Sequence, residues 1–288
     1  MAWEQYVIES APTGLEQIEQ VLLDCGAVAV SLEDAGDVPI LEPAPGQTPL
    51  WPRMRIRALF ETGAGKDSVG ARLLGLLPLG SIATIEPVGD EDWTRAWLAH
   101  ARPIWFGDRL CVTPAELAPP EGRAAIVKLD PGLAFGTGTH ATTRLCMKWL
   151  DTNLRGGESV LDYGCGSGIL GIAALKLGAA RATGVDIDPL ALLAARHNAM
   201  QNQVHMAFVA AERDAPEPAD IVLANILANP LTLLAPLLAR LTRRGGHILL
   251  SGVLEHQARE VEDAYRAAFD LAPLEHDDGW VLISGSKR

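Results

Sequence analysis

The chain has 288 residues, 48% of them hydrophobic, enough to bury two cores of ordinary size. Its 24 Lys and Arg against 36 Asp and Glu leave a formal net charge of −12, which disfavours a nucleic-acid backbone and favours a basic partner. The cysteines Cys25, Cys111, Cys146 and Cys165 form no C-x-x-C pair, the histidines lack metal-ligand spacing, and the opening Met1-Ala2-Trp3-Glu4 lacks a signal-peptide pattern. Charge, Gly or Pro breaks every apolar run short of a membrane span, so a soluble cytoplasmic protein without a metal is expected.

Residues 3–9 read as a strand, and residues 14–25 as a helix with Leu15, Ile18, Val21 and Leu22 on one face and Gly26 as its cap. A strand over 27–32 precedes a loop rich in Pro and Gly. An alternating strand over 53–60, a helix over 66–77 and a strand over 81–87 complete a β-α-β-β-α-β order. That is the ferredoxin-like arrangement of an α+β domain, expected over residues 1–88. A linker follows over 89–102. Its helix has Asp90 or Asp92 to cap it and places Trp93 and Trp97 on one face, to pack between domains or to face a substrate.

The rhythm changes over 103–288. A glycine-rich loop follows Ile126-Val127-Lys128-Leu129, and a helix spans 142–150. Strands near 159–162, 182–185, 206–210, 221–224 and 247–250 alternate with helices near 169–177, 190–202, 231–241 and 257–269. Such alternation predicts a doubly wound parallel α/β sheet. Two closing strands, 271–275 and 280–284, flank the hairpin signal Asp277-Asp278-Gly279.

The chemistry centres on Asp162-Tyr163-Gly164-Cys165-Gly166-Ser167-Gly168, a glycine turn between a buried strand and a helix. Asp186 closes the next apolar run, 24 residues after Asp162. Dinucleotide sites of this shape hold a pyrophosphate at the helix N-terminus. An anionic Asp162 repels a phosphate and suits a cation such as S-adenosylmethionine, while Asp186 suits the two ribose hydroxyls. The structural alternative is a tight turn without a ligand. Asp188, before Pro189, reads as a helix cap.

Phe135, Gly136 and Thr137 lie in a loop that allows close backbone approach to a ligand. Thr142 and Thr143 stand at the following helix N-terminus, where one of them serves as cap or as a ligand contact. His140 is read as a hydrogen-bonding loop histidine rather than a catalytic base. Asn225 ends another apolar run at the same sheet edge, and its amide oxygen can accept from an amine. The competing reading is a turn asparagine bonded to its own backbone.

Asp162-x-Gly164-x-Gly166-x-Gly168, Asp186 and the closing hairpin resemble the class I S-adenosylmethionine methyltransferases. The run from Leu129 to His140, the run from Asp162 to Leu170, and Asn225-Ile226-Leu227-Ala228 resemble the ribosomal protein L11 methyltransferase family more narrowly. The likeness is densest from about Lys128 to Gly252, and Asp92-Trp93 and Phe106-Gly107 extend it into the linker region. The resemblance implies a seven-stranded methyltransferase sheet behind a domain that recognises a basic, free ribosomal protein. It implies trimethylation of that protein's N-terminal α-amine and lysine ε-amines by a monomer that uses S-adenosylmethionine. The family's cofactor contacts carry over to Thr143, Gly164, Asp186 and Asn225, beside Phe135, Gly136, Thr137, Asp162 and Gly166, and Asn225 is expected to orient the amine. A lysine methyltransferase acting on another protein and a non-enzymatic nucleotide-binding assembly factor are the alternatives.

Overall fold

A computed structural model describes residues 3–36, 50–62, 66–73, 77, 82–88, 102–114, 116–118, 120, 122, 124–129, 140–211 and 216–288. The chain falls into two compact units, Met1–Trp97 and Leu98–Arg288. The expected linker helix, with Asp90, Asp92, Trp93 and Trp97, lies outside the described residues.

The first unit contains β1 (Trp3–Ser10), α1 (Leu15–Asp24), β2 (Ala29–Asp34), β3 (Met54–Glu61), α2 (Lys66–Leu73) and β4 (Ile82–Val88). Its sheet runs β2-β3-β1-β4 with every neighbouring pair antiparallel. Alternation in β3 buries Met54, Ile56, Ala58 and Phe60 in one core with Ile18 and Leu22 of α1. The intervening Arg55 and Arg57 are charged. Arg55 binds Glu9 at 2.6 Å and Arg57 binds Glu33 at 2.9 Å. Gly26 ends α1 in the left-handed region at φ 96°, as its position after the apolar stripe predicts.

The second unit opens with a small sheet absent from the sequence reading: β5 (Ile104–Trp105), β6 (Leu110–Thr113) and β7 (Ala125–Lys128). Such short strands carry too little periodicity to announce themselves. The elements α3 (Ala141–Asn153), β8 (Ser159–Tyr163), α4 (Ile169–Lys176), β9 (Arg181–Asp186), α5 (Pro189–Gln201), β10 (Met206–Ala210) and β11 (Ala219–Asn225) follow. The chain continues through α6 (Ala228–Leu241), β12 (Thr242–Leu254), α7 (Ala258–Tyr265), β13 (Phe269–Leu271), β14 (Glu275–Asp277) and β15 (Trp280–Lys287).

The main sheet has the order β10-β9-β8-β11-β12-β15-β13, with β14 beside β15. Strands β8 to β12 pair in parallel, and β15 runs antiparallel to both β12 and β13. Adjacent strand residues face opposite layers. Val160, Ile221, Leu223 and Leu249 join the core with Leu145 and Leu150 of α3 and Ile169 and Ile172 of α4. Leu161, Val222, Ala224 and Leu250 join the core with Leu231 and Leu238 of α6 and Val261 of α7. Two-sided burial explains why these strands read as unbroken apolar runs.

Two expected strands differ. The one expected over 271–275 is split into β13 and β14, because Pro273 has no N–H for the ladder. The one expected from 247 begins at Thr242, and its register against β11 shifts between Ala219 and Ile221. Gly246 permits the close approach of the two strands there, since a Cβ would lie 2.6 Å from the Asp220 carbonyl oxygen. The hairpin signal holds: Asp278 and Gly279, at φ 52° and 77°, form a two-residue turn that pairs Asp277 with Trp280.

Candidate active site

Strand β8 lies between β9 and β11, where the chain reverses its direction of winding across the sheet. Ligands of open α/β sheets bind at this switch point, beyond the carboxyl ends of the strands. There the glycine turn leaves β8 and caps α4, and Gly164 N and Cys165 N donate to Val185 O at 2.7 and 3.0 Å. Gly164 takes φ 73°, and a Cβ on it would sit 2.4 Å from Cγ2 of Ile226. The turn therefore lies directly against the chain leaving β11. On its other flank, Asn198 of α5 donates to Ser167 O at 2.8 Å.

Asp186 ends β9, half-buried. Its Oδ2 accepts from Gly166 N at 2.8 Å and its Oδ1 from Asp188 N at 3.0 Å. Each oxygen keeps a second acceptor site, enough for two vicinal hydroxyls. Asp188 caps α5, accepting from Leu190 N at 2.8 Å ahead of Pro189, as its sequence position predicts.

Asp162 is 1% exposed and lies beneath the turn rather than open beside it. Its Oδ2 accepts from Gly171 N at 3.0 Å, which braces the start of α4. Burial pushes its carboxyl up to about 7; the Gly171 bond opposes that rise and the charge of Asp186 adds to it. From beneath the turn the carboxyl can meet a ligand only through its field.

Asn225 is half-buried at the end of β11, with Nδ2 3.5 Å from Oγ1 of Thr143 in the first turn of α3. No other hydrogen bond engages the Asn225 side chain among the described residues, which leaves Oδ1 as a free acceptor. Thr143 is fully buried. The cap of α3 is His140, not Thr142 or Thr143: its Nδ1 accepts from Thr142 N at 3.4 Å and lies 2.8 Å from Thr142 Oγ1. Burial, then the charge of Arg144, lowers the His140 pKa. The His140 ring meets Trp280 edge-on at 5.1 Å, and Arg144 grips Asp277 with two bonds of 2.8 and 2.9 Å. The start of α3 is thereby tied to the closing hairpin.

Six nominated residues, Thr143, Asp162, Gly164, Gly166, Asp186 and Asn225, thus converge on one sheet edge through the contacts above. Phe135, Gly136 and Thr137 lie outside the described residues. The strand before their loop is held by Asn202, whose Oδ1 accepts from Lys128 N and whose Nδ2 donates to Lys128 O, both at 2.7 Å. The sequence reading passed over Ser251 and Gly252. Ser251 stands beside Asn225 in register, and a Cβ on Gly252 would lie 2.3 Å from Ile226 O.

The site fits a cationic nucleoside better than a pyrophosphate. Asp186 offers two acceptors for a ribose, a second carboxyl lies buried beneath the turn, and Asp186 already takes the Gly166 N–H that a phosphate would use. The sheet order, the antiparallel closing strand and this acidic turn define a class I methyltransferase that uses S-adenosylmethionine.

The family model described as "Ribosomal protein L11 methyltransferase (PrmA)" matches residues 2–288, and the chain belongs to that family. It is 49% identical over 293 aligned positions to the ribosomal protein L11 methyltransferase of Pseudomonas paraeruginosa, covering 100% of this chain and 99% of that one. The Azotobacter vinelandii protein of the same name is also 49% identical, with both chains covered in full, 100% each. Among solved structures, a ribosomal protein L11 methylase from Lactobacillus delbrueckii subsp. bulgaricus is similar at TM-score 0.60 and 32% identity, over 65% of this chain and 98% of that one.

Proposed function

We propose that this protein trimethylates the N-terminal α-amine and lysine ε-amines of ribosomal protein L11. The free Oδ1 of Asn225 carries the amine chemistry: it is an acceptor at the sheet edge, beside the cofactor turn, whose amide nitrogen is directed to Thr143. S-adenosylmethionine, when bound, supplies a methyl group already activated by a sulfonium. The chain's own work is proximity and orientation. Thr143, Gly164, Gly166, Asp186 and Asn225 hold the cofactor together with Phe135, Gly136 and Thr137. Asp162 braces their turn.

The attacking amine must be neutral, whereas a free lysine has pKa ~10.4. Desolvation at the site lowers that value, and the proton leaves to water. In the first two rounds Asn225 Oδ1 accepts one amine N–H and turns the lone pair towards the methyl group; the neutral dimethylamine of the third round has no N–H to donate and is held by the shape of the site alone. Bound S-adenosylmethionine would supply its methyl group to that lone pair and would leave as S-adenosylhomocysteine. The methylammonium loses a proton before each further round, until three methyl groups leave a fixed positive charge.

Residues 1–88 form a ferredoxin-like domain that recognises the substrate, joined by a linker over 89–102 to the catalytic domain, 103–288. The β-α-β-β-α-β order and the strand order β2-β3-β1-β4 support that reading. The net charge of −12 favours a basic substrate protein and disfavours RNA. A cytoplasmic monomer meeting free ribosomal protein L11 is consistent with this chemistry. Among the described residues, no helix is long and apolar enough to cross a membrane. The test is transfer of radiolabel from S-adenosylmethionine to purified ribosomal protein L11. Label in amines supports the reading, and an unlabelled protein refutes it.

A further inference from the structure

We infer that Ser251 is a positioning residue for methyl transfer, acting through Asn225, an inference that rests on the amine-orienting role proposed for Asn225. Ser251 lies on β12 directly beside Asn225 in the parallel register and is fully buried. Its two polar ends hold different elements. The backbone carbonyl accepts from Ile226 N at 3.1 Å, fixing the chain just beyond Asn225. The hydroxyl donates to Thr142 O at 3.2 Å, fixing the first turn of α3 just before Thr143. One residue therefore secures both sides of the 3.5 Å approach of Asn225 Nδ2 to Thr143 Oγ1.

That approach decides which end of the Asn225 amide meets the substrate. With Nδ2 held at Thr143, Oδ1 faces the amine; with the helix start released, the amide turns freely and presents its donor end part of the time. A donor there repels an amine N–H and turns the lone pair away from the methyl carbon. Gly252 keeps this arrangement compact, because the chain after Ser251 passes at φ 82° under the Ile226 carbonyl, where a Cβ would come within 2.3 Å. The Thr142 carbonyl sits in the first turn of α3, which His140 caps independently. Loss of the serine hydroxyl thus loosens the helix start without unravelling it.

The experiment compares wild type, Ser251→Ala, Asn225→Ala and the double variant on purified ribosomal protein L11. Ser251→Ala is expected to lower kcat about tenfold. Its affinity for S-adenosylmethionine should change less than twofold, and product should shift from trimethylated towards mono- and dimethylated amines. Ser251→Cys, which keeps a weak donor, should recover part of the rate, and it replaces the alanine variant if that variant does not fold. The decisive readout is the coupling. If Ser251 acts through Asn225, adding Ser251→Ala to Asn225→Ala costs little more, whereas an independent packing role predicts multiplied losses. Multiplied losses, an unchanged kcat, or loss of cofactor binding in proportion to rate would each overturn the inference. Failure of wild type to methylate ribosomal protein L11 would instead overturn the proposed function.

Discussion

Asp186 Oδ2 accepts the backbone N–H of Gly166 at 2.8 Å, so the acid that ends β9 also shapes the turn that ends β8. Cofactor recognition and turn geometry therefore share one carboxylate. Asp186→Ala removes charged hydrogen bonds worth about 1.5–3 kcal/mol each and should weaken S-adenosylmethionine binding about 10- to 100-fold. Titration calorimetry measures this directly. An affinity within about twofold of wild type would separate Asp186 from the ribose.

Gly164 tests how tightly the turn lies against β11. An alanine there must hold φ 73° and place its Cβ 2.4 Å from Ile226 Cγ2. The left-handed conformation costs roughly 1–2 kcal/mol and the overlap adds about 1–3 kcal/mol. Adding Ile226→Ala should restore the steric part and leave the backbone part. Urea midpoints of the single and double variants give both, and additive losses would contradict the contact.

Asp162 predicts a pH dependence. Its carboxyl is held near 7 in the folded protein, against 3.8 ordinarily, chiefly by burial. A raised acid favours folding fully below the lower value, and that contribution is lost as pH climbs towards the higher one. Asp162→Asn stays neutral and can still accept from Gly171 N, so its Tm should gain on wild type between about pH 4 and pH 8. A bound cation favours the ionised form, so wild-type affinity for S-adenosylmethionine should rise through about pH 7 more steeply than that of the variant. Parallel curves for the two proteins would contradict the assignment.

Asn225→Ala tests the amine acceptor. The substitution should lower kcat by about 10- to 100-fold while the cofactor dissociation constant changes by no more than about fivefold. Single-turnover rates at saturating S-adenosylmethionine, set beside calorimetry, make the separation. A collapse of affinity with unchanged saturated turnover would make Asn225 a cofactor ligand only.

Much of this architecture is legible in residue order because two-sided burial writes apolar runs at Ser159–Tyr163 and Ala219–Asn225, and the glycine turn writes its own punctuation. Asp188 before Pro189 and the Asp278-Gly279 turn are equally local signals. What escaped is what depends on neighbours distant in sequence. Histidine is not a preferred cap, and His140 serves as one beside Trp280, 140 residues further on. Asp162 looked like an open carboxylate, since its burial comes from the fold around it. Ser251 follows the strand read over 247–250 and gives no local signal, because its partner Thr142 lies 109 positions away.

The most direct measurement is a mass spectrum of purified ribosomal protein L11 after incubation with this protein and S-adenosylmethionine. The predicted result is added mass in sets of three methyl groups, mapped to the N-terminal amine and to lysines. An unchanged mass, or methyl groups on oxygen or sulfur rather than amine nitrogen, would contradict the proposed function.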